Sequence, residues 1–199
     1  MSRLSAAITA VGKYVPDYVL TNQILETMVD TNDEWIVSRT GIKERRILKE
    51  KNKGTSFLAI NAAKDLLSKT NLDPKDIELV IVATATPDMQ IAATAVYVAT
   101  QIGAVNAFGF DLDAACSSFL YALSTASSYI ESGKYKKVLL IGADVNSTMI
   151  YYTDRATCII FGDGAGAVLL EANTEGFGVQ DEYLRSNGVG REYLQIPAG

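Results

Sequence analysis

The sequence predicts an α/β protein in which helices cover a mostly parallel β-sheet. Two observations support this fold class. Continuously apolar runs, typical of parallel strands buried on both faces, alternate with segments whose apolar residues have helical spacing. No internal repeat, low-complexity segment or linker divides the 199 residues. We therefore expect one domain, residues 1–199.

The N-terminal segment, residues 1–16, is predicted to form the first strand. It is apolar but interrupted by Gly12, Lys13 and Pro16, so its apolar run is too short for a secretory signal. No window of the sequence reaches the length of a membrane-spanning helix. Two cysteines are too few for a disulfide framework and fit a reducing compartment. We expect a cytoplasmic protein.

Two short helices are predicted to follow the first strand. Residues 21–30 have a helical pattern with Thr21 as the N-cap. The second helix carries Trp35, is predicted to begin with a capping box at residues 31–34, and ends at Gly41. These two helices precede a charged stretch that is expected to be a connector without regular structure.

The rest of the chain is predicted to alternate between helices and strands. The predicted helices are residues 55–69, 92–103 and 116–133. The predicted strands are residues 78–85, 107–113, 136–145 and the later part of 161–173, whose first part is expected to be a glycine-rich turn. The charged connector is residues 41–54, and the segment expected to lack an element is 181–199. Because this last segment stops without a closing helix or strand, we expect a cut rather than a natural end.

The composition excludes some classes of partner. Hydrophobic residues make up 48% of the chain and charged residues 21%, which is ordinary for a globular protein. The net charge of −5 gives no basic field that would attract nucleic acid or an anionic membrane. We therefore expect neither as a partner.

Cys116 lies where a predicted strand gives way to a predicted helix. The first turn of a helix presents unpaired amides and the positive end of the helix dipole, which favour a thiolate and can stabilise an oxyanion. Small neighbours would let a substrate approach: Ala114, Ala115, Ser117 and Ser118. From chemistry alone, a nucleophile and a small buried residue remain equally open. Cys158 lies among apolar neighbours away from a helix start, so we expect it to be structural.

The glycine-rich run near residue 164 partly matches a dinucleotide-binding pattern. Gly162, Gly164 and Ala167 have the spacing G-x-G-x-x-A. That fingerprint requires a helix directly after it, whereas the residues that follow here are typical of a strand. We expect tight turns and close backbone packing instead of a bound cofactor.

Four segments resemble the β-ketoacyl-[acyl carrier protein] synthase III enzymes of the thiolase-like superfamily, in that family's order. They are TNDEWIVSRTGIKERRI (31–47), IVATATPD (81–88), DLDAACSSFLYAL (111–123) and TDRATCIIFGDGAGAVLLE (153–171). The resemblance covers essentially the whole chain. It implies one of the two similar halves of a layered αβαβα architecture. It also implies an acyltransferase that starts fatty-acid synthesis by condensing an acyl-CoA primer with malonyl-acyl carrier protein.

The resemblance assigns roles to individual residues. Cys116 matches the nucleophile that takes the acyl group from CoA. Trp35 and Arg155 match a pair that sandwiches the CoA adenine, and Thr31 and Arg39 match residues that line the CoA entrance. Without the resemblance, the tryptophan would be interpreted as a core anchor and the two arginines as solvated surface charges.

The resemblance also implies a homodimer in which the strand before the nucleophile pairs with its copy. Some relatives carry a large aromatic residue at the position of Ile91, where it reaches across the dimer into the partner's acyl pocket. Because isoleucine is smaller, the primer remains open between acetyl, longer straight-chain and branched groups. Acyl-CoA is expected as a substrate, and neither a cofactor nor a metal is expected.

The family's second half supplies a histidine and an asparagine that stabilise the enolate formed on decarboxylation. This chain contains no histidine. It is therefore expected to be the N-terminal half of such an enzyme, with the C-terminal half absent, and to make no condensation product alone. Three alternatives remain open: a non-catalytic half that binds CoA or a partner, a starter-unit synthase of secondary metabolism, and a hydroxymethylglutaryl-CoA-type synthase.

Overall fold

A five-stranded sheet and a smaller two-stranded sheet organise the computed structural model, which describes residues 4–196. The strands of this range are β1 (Ser5–Tyr14), β2 (Tyr18–Thr21), β3 (Glu44–Ile47), β4 (Leu79–Ala83), β5 (Phe108–Leu112), β6 (Lys137–Val145) and β7 (Asp163–Asn173). The α-helices are α1 (Asn22–Glu26), α2 (Asp33–Thr40), α3 (Thr55–Ser68), α4 (Thr94–Ile102), α5 (Ser118–Glu131) and α6 (Arg155–Cys158). Short 3₁₀ turns occupy Pro74–Asp76, Ala115–Ser117, Asn146–Thr148 and Gly188–Tyr193.

The large sheet confirms the predicted fold class. Its strand order is β1-β7-β6-β4-β5. Strand β4 runs parallel to both of its neighbours, whereas β7 is antiparallel to β6 and to β1. Four of the five strands therefore point in one direction, and β7 alone is reversed within the described sheet. The sheet is mostly parallel in direction and mixed in its pairing.

Helices cover both faces of the sheet, and β4 shows how the sequence specifies this. Its five residues are all buried, as the continuous apolar run predicted. Val80 and Val82 pack in the cluster that contains the apolar faces of α3 and α4. Leu79 and Ile81 pack in the opposite cluster, with residues of α5. Because successive side chains of a strand point to opposite faces, one apolar run serves both cores.

A third, smaller core joins β2, β3, α1, α2 and α6. Its buried members are Leu20, Leu25, Ile36, Ile47, Cys158 and Ile159. Trp35 packs against this cluster from α2. The predicted connector 41–54 was wrong over Glu44–Ile47, because these residues form β3 and pair antiparallel with β2. The charged residues in this strand concealed its alternation, since Arg45 takes one of the buried positions.

The helix ends partly follow the predictions. Thr21 caps α1, since its hydroxyl accepts the amide of Ile24 at 3.3 Å. Gly41 ends α2 with a φ of 72°, in the left-handed region that favours glycine. The capping box at residues 31–34 was wrong. The N-cap of α2 is Asn32, whose side-chain oxygen accepts the amide of Trp35 at 2.8 Å.

The glycine-rich run lies mainly in a strand rather than in a turn. Gly164 and Gly166 are within β7, which continues to Asn173, so no helix directly follows them, in agreement with the rejected dinucleotide pattern. Gly162 confirms the expected close packing, since a Cβ atom there would lie 2.9 Å from the Cβ of Arg45.

In the final segment 181–199, a 3₁₀ turn spans Gly188–Tyr193. Residues 1–3 of the predicted first strand and residues 197–199 lie outside the described range. Over residues 4–196, each helix is too short or too polar to cross a membrane.

Candidate active site

Three predicted site residues follow the carboxyl ends of the three parallel strands. Ile91 lies in the loop after β4, Cys116 lies in the turn after β5, and Arg155 begins the helix that follows β6. The carboxyl ends of parallel strands meet at one edge of a sheet, and ligands of open α/β sheets bind outside that edge. The topology therefore brings these three segments to the same side of the sheet.

Cys116 is exposed and lies in the 3₁₀ turn Ala115–Ser117, directly before α5. The predicted helix 116–133 thus begins as an α-helix two residues later, at Ser118, so Cys116 lies just before its first turn rather than in it. The preceding residue, Ala115, has a φ of 48°. A non-glycine residue in this region carries strain of about 1–2 kcal/mol, which the surrounding bonds must hold.

A small set of hydrogen bonds fixes the turn around Cys116. The amide of Ala114 donates to the Ser118 hydroxyl at 2.7 Å, and that hydroxyl donates to the carbonyl of Ala115 at 2.7 Å. The amide of Ala115 donates to the Asp113 carboxylate at 2.8 Å. None of these three hydrogen bonds uses the Cys116 amide. It is the amide of this turn that can stabilise an oxyanion next to the sulfur.

Trp35, Arg39 and Arg155 form a compact cluster. Arg39 lies one turn after Trp35 on α2, and its Cζ is 4.4 Å from the centroid of the indole ring. The Cζ of Arg155, from α6, is 5.1 Å from the same centroid. Arg155 also donates to the carbonyl of Asp30 at 3.1 Å. The structure therefore brings together three residues that the resemblance had placed at a CoA site.

The predicted adenine sandwich has a geometric requirement. A flat base between two partners needs two van der Waals separations, about 7–8 Å from ring to guanidinium. Arg155 lies directly on Trp35 at 5.1 Å, so it must move outward before a base can enter. Its side chain is 51% exposed and its ion pair with Asp30 is long at 3.8 Å, so the movement mainly costs the 3.1 Å hydrogen bond to the Asp30 carbonyl. The sandwich itself stays a prediction.

Thr31 and Ile91 are placed differently. Thr31 precedes the N-cap of α2, and its hydroxyl is buried without a hydrogen-bond partner in the described part of the chain. Ile91 is 90% exposed in the loop after β4, next to Ala92, whose φ is 64°. Ile91 therefore lies on a different connection from Cys116, which is in the turn after β5. Thr31 adjoins α2, the helix that carries Trp35.

Two aspartates that the sequence reasoning missed hold this edge together. Asp144, near the end of β6, accepts the Thr84 hydroxyl at 3.0 Å and the Thr86 hydroxyl at 3.1 Å, which ties β6 to the end of β4. Asp111, in β5, accepts the amide of Thr94 at 2.6 Å and thereby caps α4. The sequence feature that could have revealed these two residues is an acidic side chain within an otherwise apolar strand.

Cys158 is structural, as expected. Its side chain is fully buried in the third core. Burial raises the pKa of the Cys158 thiol, and the nearby Asp154 carboxylate raises it further. Within residues 4–196, no group of three or more cysteine and acidic side chains is arranged to hold a metal ion.

Comparisons with known proteins give one consistent answer. The family described as 3-oxoacyl-[acyl-carrier-protein (ACP)] synthase III matches residues 110–188. The chain is 54% identical over 199 residues to β-ketoacyl-[acyl-carrier-protein] synthase III 2 of Bacteroides thetaiotaomicron, covering 100% of this chain and 59% of that protein. It is 57% identical over 198 residues to the synthase III of Chlorobium chlorochromatii, covering 98% of this chain and 60% of that protein.

Solved structures agree with these relatives. A β-ketoacyl-[acyl carrier protein] synthase III from Thermus thermophilus superposes with a TM-score of 0.92 at 42% identity, covering 96% of this chain and 59% of that one. The priming β-ketosynthase of the R1128 polyketide pathway superposes with a TM-score of 0.81 at 36% identity, covering 85% and 50%. The chain thus spans about three fifths of the length of the curated relatives that it matches.

Proposed function

Because the chain belongs to the 3-oxoacyl-[acyl-carrier-protein] synthase III family, we propose that it is the acyl-accepting part of an enzyme that starts fatty-acid synthesis. The observation that carries this proposal is the exposed Cys116, held on a strained turn at the same sheet edge as the Trp35 cluster. The enzyme joins an acyl-CoA primer to malonyl-acyl carrier protein. Acyl-CoA is a substrate in this scheme, no bound cofactor takes part, and the enzyme works in the cytoplasm.

The first step is transfer of the acyl group to Cys116. The thiolate attacks the thioester carbonyl carbon, and a bond forms between Sγ and that carbon. The carbonyl oxygen becomes an oxyanion next to the Cys116 amide. When the carbon–oxygen double bond re-forms, the bond to the CoA sulfur breaks and CoA leaves as a thiolate. The acyl group is then a thioester of Cys116.

CoA is held on the same edge of the sheet. The indole ring of Trp35 offers a flat face for adenine, and Arg155 covers the base after it has moved outward. Arg39, with its guanidinium beside the ring, is placed to meet phosphate oxygens. Thr31 lines the entrance, with a hydroxyl that still lacks a partner in the described chain.

Condensation requires residues that this chain does not contain. Decarboxylation of the malonyl group produces an enolate, which oriented donors in a dry site must stabilise. This chain has no histidine, and it spans about three fifths of its curated relatives. We therefore assign the histidine and asparagine of that step, together with most of the carrier-protein surface, to a second half of the enzyme.

The proposed assembly is a homodimer built on β5. Within the described sheet, β5 pairs with β4 on one side and has no strand on its other side. An open edge of this kind favours pairing with a second copy. Ile91 projects from the neighbouring loop, where it would reach the acyl pocket of the other copy. Its size leaves the length and branching of the primer to be determined.

Acylation of Cys116 tests the proposal. We expect incubation with acetyl-CoA, digestion and mass spectrometry to find the acetyl group on the Cys116 peptide, and we expect Cys116→Ser to abolish it. Cys158→Ser is the matched control and should retain the label. An acetyl group on Cys158, with Cys116 free, would contradict the assignment. CoA binding without acylation would favour the alternative of a non-catalytic CoA-binding half.

A second assay tests whether decarboxylation requires the second half of the enzyme. We expect no release of carbon dioxide from malonyl-acyl carrier protein by the chain alone, and release when a second half is supplied. Full turnover by the chain alone would show that the mechanism is wrong.

The likeness to a priming polyketide ketosynthase favours one alternative, a starter-unit synthase of secondary metabolism. A preference for primers other than acetyl-CoA and short branched acyl-CoA would support that alternative.

A further inference from the structure

Arg45 is a buried arginine with an unusual set of partners. It is 5% exposed, and in the described structure it forms no ion pair with a carboxylate. Its guanidinium donates instead to neutral oxygens: the carbonyl of Leu20 at 3.4 Å, the side chain of Asn22 at 2.8 Å and the carbonyl of Ile159 at 2.6 Å. Burying a charge without an opposite charge is costly. Such a residue needs a reason beyond filling space.

Asn22 connects Arg45 to both ends of α2. Asn22 is fully buried, and its amide nitrogen donates to the Asp33 carboxylate at 2.7 Å and to the Ile42 carbonyl at 2.9 Å. Asp33 is the first residue of α2, and Ile42 directly follows its C-cap. The helix that carries Trp35 is therefore fastened at its start and at its end by one side chain, which Arg45 holds in place.

The other side of the Arg45 guanidinium reaches α6. Ile159, whose carbonyl accepts the 2.6 Å bond, directly follows the last residue of that helix. Arg155 is the first residue of the same helix, which is only four residues long, so its position depends on how α6 is anchored. Gly162 leaves room for Arg45, since a Cβ atom there would lie 2.9 Å from the Cβ of Arg45.

We propose that Arg45 is a positioning residue, which sets the separation and orientation of Trp35 and Arg155 without touching the bound nucleotide. A polar relay through Asp33, Asn22, Arg45 and the Ile159 carbonyl joins the two helices that carry the stacking pair. The proposal rests on the proposed CoA-binding function. A planar guanidinium can bridge two directions at fixed angles, whereas a lysine presents one point of charge.

The test uses Trp35, the single tryptophan of the chain, as its own reporter. We expect Arg45→Met, which keeps much of the volume but removes the bridge, to change the near-ultraviolet circular dichroism of Trp35. We expect it to raise the Kd for CoA roughly tenfold, since small misplacements of binding groups are costly. Acylation of Cys116 at saturating acetyl-CoA should change less than the affinity does. Arg46→Met is the matched control, because Arg46 is on the same strand but partly exposed. It should leave the Trp35 circular dichroism and the Kd for CoA unchanged.

Thermal unfolding separates positioning from folding. If Arg45→Met does not fold, Arg45→Lys takes its place and is expected to weaken CoA binding in the same direction. A folded variant with wild-type CoA affinity and wild-type Trp35 dichroism would overturn the proposal, as would loss of folding in both variants. If the wild-type chain does not bind CoA, the proposed function fails. A dichroism change in Arg45→Met but not in Arg46→Met would then still support the relay.

Discussion

The guanidinium of Arg155 lies over the indole ring of Trp35, although the two residues are far apart in the chain and belong to different helices. The contact should shield the ring from water. We expect Arg155→Ala to shift Trp35 emission to longer wavelength and to raise its quenching by acrylamide. Arg185→Ala removes another arginine that lies over an aromatic ring, that of Tyr183, and should leave Trp35 unchanged. Equal quenching in wild type and Arg155→Ala would show that the contact is absent in solution.

CoA affinity should depend on both members of this pair. We expect Trp35→Ala and Arg155→Ala each to weaken CoA binding by about 1–2 kcal/mol, as for partly exposed cation–π contacts. Isothermal titration with CoA, in the presence of a second half, measures the effect. Lys134→Ala also removes one positive charge but follows the far end of α5, so it controls for net charge. Unchanged affinity in both site variants would argue against the proposed adenine site.

Asp111 should stabilise the protein by capping α4. Its two carboxylate oxygens accept the amides of Thr94 at 2.6 Å and Ala95 at 2.8 Å. We expect Asp111→Ala to lower the free energy of unfolding by about 0.5–2 kcal/mol, the usual cost of losing a helix cap. Urea denaturation measures this loss. Asp76→Ala, which removes an exposed ion pair with Lys137, should cost less. A similar loss in both variants would contradict the capping role.

The buried Cys158 thiol should make stability depend on alkaline pH. Burial raises the pKa of Cys158 in the folded protein, so the unfolded chain releases this proton first as the pH rises. The unfolded state then binds fewer protons than the folded state, and stability falls above the unfolded thiol pKa of about 8.5.

We expect this decline to begin near the unfolded thiol pKa of about 8.5 and to continue as the pH rises, and we expect Cys158→Ala to flatten it. Urea denaturation at several pH values provides the measurement. Cys116→Ala is the matched control, because Cys116 is exposed, and it should retain the decline. An unchanged slope in Cys158→Ala would assign the decline to other groups.

The open edge of β5 predicts a dimer that a charge can weaken. Phe108, at the start of this edge strand, is 41% exposed. We expect Phe108→Lys to raise the dimer dissociation constant roughly tenfold in sedimentation equilibrium, since lysine on a strand edge opposes pairing. Val105→Lys places the same charge in the turn before β5 and serves as the control. A monomeric wild-type chain in the presence of its second half would refute the proposed dimer.

Local sequence patterns were sufficient to predict those elements whose structure depends on a single segment of the chain. The apolar run that became β4 and the glycines that end α2 and α4 needed no distant partner to be recognised. The capping box failed because Thr31 and Asn32 are both good caps, and the backbone path selects between neighbours. Strand β3 was missed because Arg45 is buried against a carbonyl 114 positions away, at Ile159. Such a partner cannot be inferred from nearby residues.

In the candidate site, too, features set by neighbouring residues could be predicted from the sequence, whereas features set by distant partners could not. Cys116 could be singled out from its position between a strand and a helix, although that alone left a structural cysteine equally open. Trp35 and Arg155 could be paired only through the resemblance to a family, because nothing in their neighbourhoods relates them. Asp144 and Asp111 escaped notice because their partners are backbone amides and hydroxyls of other strands and loops.

The position of β4 has a consequence for hydrogen exchange. This strand is paired on both edges and covered on both faces, so its amides should exchange with solvent only when the whole sheet opens. The core around Trp35 is smaller and rests on a two-stranded sheet, so its amides should exchange through a local opening of lower free energy. The core around Trp35 can therefore open and close while the large sheet, whose strand β5 leads into the turn with Cys116, stays closed.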